Sequence, residues 1–345
     1  MRIGLDATPL ISPTGGVPRY VRELHAALQS LGGADEFSLF TDQPVRGAIG
    51  PRNSALEKRW WLAGLPIALR RHRIDVFHGT EFSVPYLPVA ASVMSINDLS
   101  PWLNPEWHST ADRVRQRTPI LLRLGLATMV LTLSEAVRRQ AIKHFSLDPA
   151  RVVAVPLAAA KTFQPVDVQA PTEPYFLYVG AIEPRKNLPL LVEAWREVKK
   201  RHPVRLVIAG KRREDGPRIE PSEGLELLGA VDEAQLPALY SGALAAVYPT
   251  FYEGFGLPIV EAMQCGAPVI TSEDESVVEV AGGAALHASA ANTKAWIAAM
   301  TRVIEDAALR ESLKVQSVER ARAFSWERTA RETLAVYGEA HRRFR

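Results

Sequence analysis

Short apolar runs alternate with amphipathic stretches along most of this 345-residue chain. Runs of this kind, bounded by polar or turn residues, are typical of buried strands. The stretches between them have the spacing of helices with one buried face, and one of them begins after Ser134, a favourable N-cap residue. This alternation predicts a parallel sheet with helices on both faces. The runs in the first half are 2–7, 37–41, 75–79, 91–98 and 127–134.

The alternation is interrupted at 156–173, where the chain is rich in proline and alanine. A segment of this composition indicates a linker between domains. The alternation then restarts, so we expect two α/β domains of similar size, at 1–165 and 173–325. A last amphipathic stretch, 326–345, predicts a helix that packs back on the first domain. The second half has expected strands at 175–182, 204–210, 225–229 and 244–249 and helices at 188–201 and 232–242.

Composition narrows the class of protein. Hydrophobic residues make up 47% of the chain and charged residues 23%, which is ordinary for a globular protein. The formal net charge is only +3, so the overall basic character expected of a nucleic-acid-binding protein is missing. Cys265 is the single cysteine, which excludes an internal disulfide framework and a multi-cysteine metal site. Neither a membrane span of roughly 18 apolar residues nor a signal-peptide core is evident, so we expect a cytoplasmic location.

The stretch FYEGFGLPIVEAM places two glutamates, Glu253 and Glu261, on either side of a turn-forming segment. It directly follows the expected strand 244–249, and ligands of open α/β sheets bind beyond the carboxyl ends of strands. The glycines allow a sharp turn, and the free N–H groups of the expected helix start, where we place Glu261 in the first turn, attract anions such as a diphosphate. Carboxylates accept hydrogen bonds from hydroxyls, so a phosphorylated sugar is the expected ligand. Alternatively, the helix dipole alone favours an acidic residue such as Glu261 near a helix start.

The chain resembles a known family over nearly its whole length. The stretch EGFGLPIVE is similar to the two-glutamate signature of the family-4 retaining glycosyltransferases. The resemblance is strongest from 175 to 290, and it implies the GT-B fold, in which two Rossmann-like α/β domains face each other across a cleft. Other matching stretches are 6–24, which resembles the glycine loop and first helix of the family, 178–195, 227–250 and 265–286.

The resemblance implies roles for individual residues. Glu253 would hold hydroxyls of the donor sugar, and Glu261 the nucleotide ribose. Lys186 matches the lysine that binds the donor phosphates, and the adjacent Arg185 would supply a second cation. The remaining implied donor contacts are Gly15, Gly16, Gly180, Gly229, Ala230, Val231, Gly254, Phe255, Gly256 and Leu257.

The sequence departs from the family pattern at two positions. Ala181 stands where an arginine is common, five residues before Lys186. Asn97 stands where a histidine commonly precedes an aspartate, here Asp98, and asparagine can hydrogen-bond but cannot titrate. We keep Asn97 and Asp98 as candidate catalytic residues. The resemblance implies a retaining reaction without a metal or other cofactor, in which the departing phosphate takes the proton of the acceptor.

The predicted activity is transfer of a hexose from a nucleotide diphosphate sugar to a hydroxyl of a glycan or a lipid-linked saccharide. GDP-mannose is the first choice of donor, because residues 179–188 are similar to bacterial mannosyltransferases of polysaccharide assembly. Three alternatives stay open. These are another donor such as UDP-glucose, a nucleotide-sugar 2-epimerase, and a sugar-nucleotide binder without catalysis.

An anionic membrane surface is a further predicted partner. The segments 56–73 and 113–127 interleave arginine and lysine with leucine, isoleucine and, in the first, tryptophan. This mixture suits a peripheral position on a bilayer, here the inner face of the plasma membrane. The alternative is a pair of helices that each bury one face and extend their arginines to solvent.

Overall fold

The computed structural model describes residues 1–12, 15–52, 54–108, 110–169 and 172–344. Parts of three predicted features, at 13–14 before the first helix, at 170–171 in the linker and at residue 345, lie outside these ranges. The chain divides into two compact units. The first contains 1–157 together with the C-terminal helix, and the second contains 158–325.

The first unit is built on a parallel sheet, with six strands among the described residues, in the order β2-β1-β3-β4-β5-β6. The first five overlap the expected runs. The sixth is a short strand that the sequence analysis did not identify, because a run of three residues carries too little periodicity. The strands are β1 Arg2–Asp6, β2 Glu36–Phe40, β3 Val76–Gly79, β4 Ala91–Ile96, β5 Met129–Thr132 and β6 Val152–Ala154.

The second unit has its own parallel sheet, again with six strands in the described part of the chain, in the order β12-β11-β10-β7-β8-β9. The strand order places β7 directly beside β10, although many residues separate them in sequence. The strands are β7 Tyr175–Val179, β8 Arg205–Ala209, β9 Leu225–Gly229, β10 Ala245–Tyr248, β11 Val269–Thr271 and β12 Leu286–His287.

Helices connect the strands of both sheets. The predicted N-cap at Ser134 is confirmed, since its hydroxyl accepts the N–H of Val137 at 3.2 Å. No helix in the described ranges is long and apolar enough to cross a membrane. The helices are α1 Gly16–Ser30, α2 Leu65–Arg71, α3 Ser100–Leu103, α4 Asp112–Arg123, α5 Glu135–Phe145, α6 Leu188–Lys199, α7 Leu236–Gly242, α8 Leu257–Gln264, α9 Glu275–Ala281, α10 Thr293–Glu305, α11 Ala307–Ala321 and α12 Trp326–Phe344.

The segment predicted as a linker begins as part of the second unit. Phe163 is fully buried, and its ring packs against Tyr240 with centroids 6.2 Å apart. The side-chain amide of Gln264 donates to the carbonyl oxygens of Phe163 and Ala160, at 2.6 and 3.1 Å. These contacts place the start of the predicted linker in the second unit, so the units divide at Leu157, earlier than predicted. The predicted boundary was based on composition, which does not reveal long-range contacts.

Helix α12 belongs to the first unit and is held there by a buried polar network. Tyr337 Oη lies 2.7 Å from His78 Nδ1, and the other ring nitrogen of His78 lies 2.8 Å from Ser95 Oγ. Tyr20 Oη completes the chain of contacts, 3.1 Å from the same serine oxygen. Burial lowers the pKa of His78 to about 3, so the imidazole stays neutral and serves as one donor and one acceptor.

Candidate active site

The two-glutamate segment lies where β10 ends and α8 begins. Gly256 is the N-cap of α8 and has a φ of +94°, a conformation that favours glycine. Pro258 occupies the first turn of α8, as expected. Glu253 lies in the loop between the two elements and is only 6% exposed. The predicted sharp turn, with Glu253 in the loop before the helix, is confirmed, whereas the burial of this carboxylate was not part of the prediction.

The placement of Glu261 in the first helical turn is wrong. Helix α8 begins at Leu257, so Glu261 lies in the second turn, with 1% of its surface exposed. Its Oε2 accepts a hydrogen bond from Tyr240 Oη at 3.4 Å. The helix dipole acts mainly on the terminal turn, so it does not explain a buried glutamate at this depth.

A 3-10 turn after β7 carries the two predicted cations, Arg185 and Lys186. The next residue, Asn187, adopts a left-handed conformation with φ of +54° and starts α6. Its side-chain amide donates to the carbonyl oxygens of Ala290 and Pro249, at 2.8 and 3.3 Å. These bonds fix the turn against the loops that follow β10 and β12.

Glu253 is the centre of a cluster that joins these two loops. Lys186 Nζ forms an ion pair with Glu253 Oε1, and Arg185 Nη1 lies 3.2 Å from Oε2. The hydroxyls of Tyr248 and Thr250 each lie 3.1 Å from Oε1. Lys186 also donates to Tyr248 Oη at 2.9 Å. The structure thus brings together three predicted site residues and adds two hydroxyls.

The charges of this cluster compensate for its burial. Burial raises the pKa of the Glu253 carboxyl, but the charges of Lys186 and Arg185 outweigh it, so the pKa lies below its ordinary value. Burial and the neighbouring Arg185 lower the pKa of Lys186, against the opposing effect of Glu253. A buried ion pair of this kind is stable only while both partners are present.

Glu183 is a site residue that the sequence analysis missed. Its Oε1 accepts from Arg185 Nε at 2.7 Å, and its Oε2 accepts from Arg213 Nη1 at 2.9 Å. Arg213 in turn forms an ion pair with Asp215 at 3.2 Å. Glu183 therefore fixes the direction of the Arg185 guanidinium. Its position two residues before Arg185 was the only available signal.

Asp274 also approaches the glutamate loop from the start of α9. Its Oδ1 accepts the N–H groups of Ser276 and Val277, at 3.1 and 3.2 Å. Its carboxyl also accepts the backbone N–H of Glu253. Burial, with the negative charge of Glu253 adding to it, raises the pKa of Asp274 to about 7. The carboxyl of Asp274 thus connects α9 to the loop that carries Glu253.

The predicted backbone contacts of the second unit lie in three loops. Gly180, with φ of +152°, ends β7, and an added Cβ there would lie 2.8 Å from Tyr178 Oη. The Phe255 ring is buried and packs against Phe324 with centroids 5.7 Å apart. Gly229 is the last residue of β9, and Ala230 and Val231 follow it. The loop before α8 contains Gly254, Phe255 and Gly256, and Leu257 is the first residue of the helix.

The other predicted site residues belong to the first unit. Gly15 is the N-cap of α1 and Gly16 its first residue, but a 3-10 helix, Thr8–Ile11, separates them from β1. The amide of Asn97 donates to the carbonyl of Thr80 at 3.3 Å. The Asp98 carboxylate accepts the N–H and hydroxyl of Ser100, at 2.9 and 2.6 Å, and so stabilises the start of α3.

The arrangement in the second unit can bind an anion next to a polar, hydroxyl-bearing group. Two cations at the end of β7 suit a diphosphate, and their charge would stabilise a phosphate leaving group. The buried carboxylate of Glu253 suits sugar hydroxyls. No group of three or more His, Cys, Asp or Glu side chains in the described residues is placed to hold a metal ion.

Comparison with known proteins agrees with this chemistry. The family Glycosyl transferases group 1 matches residues 161–320. O-antigen chain mannosyltransferase B of Escherichia coli is 34% identical over 296 residues, which span 78% of this chain and 76% of that protein. Serotype-specific mannosyltransferase WbdA of Escherichia coli is 28% identical over 271 residues, which span 72% of this chain and only 33% of that protein.

The fold has close structural relatives as well. The solved structure of sucrose-phosphate synthase from Thermosynechococcus elongatus matches with a TM-score of 0.76 at 20% identity, and 98% of each chain is covered. The predicted family resemblance and the predicted fold class are both confirmed. This chain belongs to the group 1 glycosyltransferases and has the GT-B fold.

Proposed function

We propose that this glycosyltransferase moves mannose from GDP-mannose to a hydroxyl of a glycan or a lipid-linked saccharide, with retention of the anomeric configuration. The observation that carries the proposal is the buried cluster of Arg185, Lys186 and Glu253 at the carboxyl ends of β7 and β10. The choice of mannose is supported by the 34% identity to a protein named an O-antigen chain mannosyltransferase.

Each member of the cluster has a part in the proposed reaction. Lys186 and Arg185 bind the diphosphate and stabilise the negative charge that grows on it as the glycosidic bond breaks. Because these cations supply the charge, the proposed reaction uses no metal. Glu253 holds the donor sugar and stabilises the developing positive charge at its anomeric centre, while Glu261 binds the ribose. The departing phosphate accepts the proton of the attacking hydroxyl. Asn97 and Asp98 stay proposed catalytic residues.

The alternatives differ in measurable products. A UDP-glucose transferase would release UDP, a 2-epimerase would return a changed sugar without transfer, and a binder would release nothing. Membership of a transferase family favours transfer over epimerisation.

Incubation with single nucleotide sugars is the decisive test of the donor. We expect slow release of GDP from GDP-mannose without acceptor, faster release with acceptor saccharides, and a product whose NMR spectrum shows the anomeric configuration of the donor. Thermal stability should also rise with the logarithm of GDP-mannose concentration above its Kd. Turnover of UDP-glucose but not of GDP-mannose would show that UDP-glucose is the donor. A product with inverted anomeric configuration would contradict the proposed retention.

We also propose that the first unit contacts an anionic membrane through α4. One face of this helix carries Arg113 and Arg123 together with Ile120 and Leu124, whose side chains are 57% and 66% exposed. Exposed apolar and basic side chains on one helix face suit a lipid surface.

The other basic segment, 56–73, fits the alternative interpretation, in which a helix buries one face and extends its arginines to solvent. Trp60 is 3% exposed and packs in a core cluster with Phe40 and Phe77. Arg71 forms an ion pair with Glu57 at 3.0 Å. Trp60 is therefore a core residue and the partly buried Trp61 packs against the same cluster, so the membrane proposal is restricted to α4.

Flotation with vesicles tests the role of α4. The double variant Arg113→Gln, Arg123→Gln should bind vesicles containing phosphatidylglycerol about 30-fold less tightly, since a basic residue near such a surface contributes about 1 kcal/mol. The matched control is Arg322→Gln, Arg328→Gln, which removes two exposed arginines outside α4, one after the end of α11 and one in α12. Equal losses in both variants, or equal binding to neutral vesicles, would contradict the proposal.

A further inference from the structure

Tyr248 lies between the two oppositely charged members of the cluster. Its Oη is 2.9 Å from Lys186 Nζ and 3.1 Å from Glu253 Oε1. An ammonium group can only donate, so the phenol oxygen accepts from Lys186 and its single proton points to Glu253. Burial and the nearby charge of Glu253 raise the pKa of Tyr248 well above its ordinary value, so the phenol remains a donor.

We propose that Tyr248 is a positioning residue that keeps Glu253 aimed at the donor sugar when Lys186 turns to the donor diphosphate. This inference rests on the proposed function, in which the same lysine binds the diphosphate. In the structure that lysine is occupied by Glu253 and Tyr248. An ammonium group has three N–H donors, so Lys186 can turn one of them to the diphosphate. When the diphosphate draws the bond to Glu253 away, the carboxylate depends on its other partners.

The partners that remain on Glu253 are unequal. Arg185 stays on Oε2, while the hydroxyls of Tyr248 and Thr250 stay on Oε1. Thr250 has one hydroxyl proton and three acceptors at similar distance, namely the carbonyls of Arg185 and Tyr252, at 3.1 and 3.0 Å, and Glu253 Oε1. A single proton can serve one of them at a time. Tyr248 is the more dedicated donor to Oε1.

The tyrosine ring is held so that its hydroxyl cannot swing away. Tyr248 stacks on Tyr178 of the adjacent strand β7, with ring centroids 5.9 Å apart and an interplanar angle of 16°. Both rings are buried. The hydroxyl of Tyr178 donates instead to the carbonyl of Ala181 at 2.9 Å. The chain therefore offers a matched pair of buried, stacked phenols, of which only Tyr248 contacts Glu253.

The expected pH effect follows from the groups around Glu253. Hydrogen bonds to a carboxylate favour its charged form, so loss of the Tyr248 hydroxyl should raise the pKa of Glu253. The charges that raise the pKa of Glu253 and those that lower it both stay the same in a tyrosine-to-phenylalanine variant. The titratable and charged groups that face Glu253 are Lys186, Arg185, Glu183, Asp274, Tyr178 and Tyr248.

The experiment compares Tyr248→Phe with Tyr178→Phe, using GDP and GDP-mannose as probes. For Tyr248→Phe we expect kcat to fall about tenfold, as for loss of one charge-assisted hydrogen bond. GDP affinity should stay within about twofold of the parent, because Lys186 is retained. The acid limb of the kcat–pH profile should move to higher pH. Tyr178→Phe should leave kcat and the acid limb unchanged.

A second readout requires no turnover. Carbon-13 NMR of the glutamate carboxyls in the ligand-free protein, with the Glu253 signal assigned from Glu253→Gln, should show a higher pKa for Glu253 in Tyr248→Phe only. Unchanged titration and unchanged kcat in Tyr248→Phe, or equal changes in both tyrosine variants, would overturn the inference. If Glu253→Gln keeps full turnover, the proposed role of Glu253 itself fails. An inactive Glu253→Gln beside a parental Tyr248→Phe removes only the role of Tyr248.

Discussion

Replacement of Glu253 by glutamine is expected to lower kcat by roughly 10²–10³-fold, the loss typical for removal of one preorganised electrostatic group. Glutamine keeps the size of the side chain but removes the charge that stabilises the positive anomeric centre. An interaction that strengthens in the transition state is expressed in kcat. Binding of GDP should be retained, because Lys186 and Arg185 lose their competing carboxylate.

The matched control is Glu261→Gln, a change of the same kind in a second buried carboxylate. In the proposed reaction Glu261 binds the ribose, which is the same in the ground and transition states. A uniform interaction appears in KM, so we expect a raised donor KM and a kcat near that of the parent. Steady-state kinetics on folded variants checks both. A kcat near the parental value for Glu253→Gln would remove that residue from the chemistry.

Lys186→Ala should weaken GDP binding and slow transfer together. Loss of one charge-assisted contact costs about 1.5–3 kcal/mol, which is roughly a 10- to 150-fold change in Kd. The lysine serves the diphosphate both before and after the bond breaks, so affinity and rate fall in parallel. Calorimetry with GDP measures the affinity, and Lys199→Ala, which removes a lysine that packs over Trp195 instead, is the control. Unchanged GDP affinity would exclude Lys186 from the site.

The same variant should also lose stability. Removal of one partner of a buried ion pair typically costs about 3–5 kcal/mol, because the other charge is left without its partner. Arg185 remains on Glu253 and should limit the loss. The double variant Lys186→Met, Glu253→Gln removes both charges and should recover much of the stability without recovering transfer. Chemical unfolding of these two variants and of the parent separates this effect from the loss of binding.

The local pattern of the chain was sufficient for the α/β class of both units, whereas the site residues were named from the family resemblance. Each strand expected in the two halves of the chain appears, because a buried parallel strand leaves a continuous apolar run that can be recognised locally. The turn around Gly256 was also predictable, since glycine and proline act over a few positions.

Contacts between distant segments could not be predicted in this way. Glu253 and Lys186 meet because β7 pairs with β10, and strand order depends on long-range pairing that leaves no trace in either segment. The same cause placed Phe163 in a core rather than in a linker and Trp60 in a core rather than at a membrane. Composition reports which side chains can be buried, whereas the tertiary structure decides which of them have partners. In this enzyme, long-range strand pairing joins two polar loops that are far apart in sequence into one buried cluster, with Glu253 at its centre.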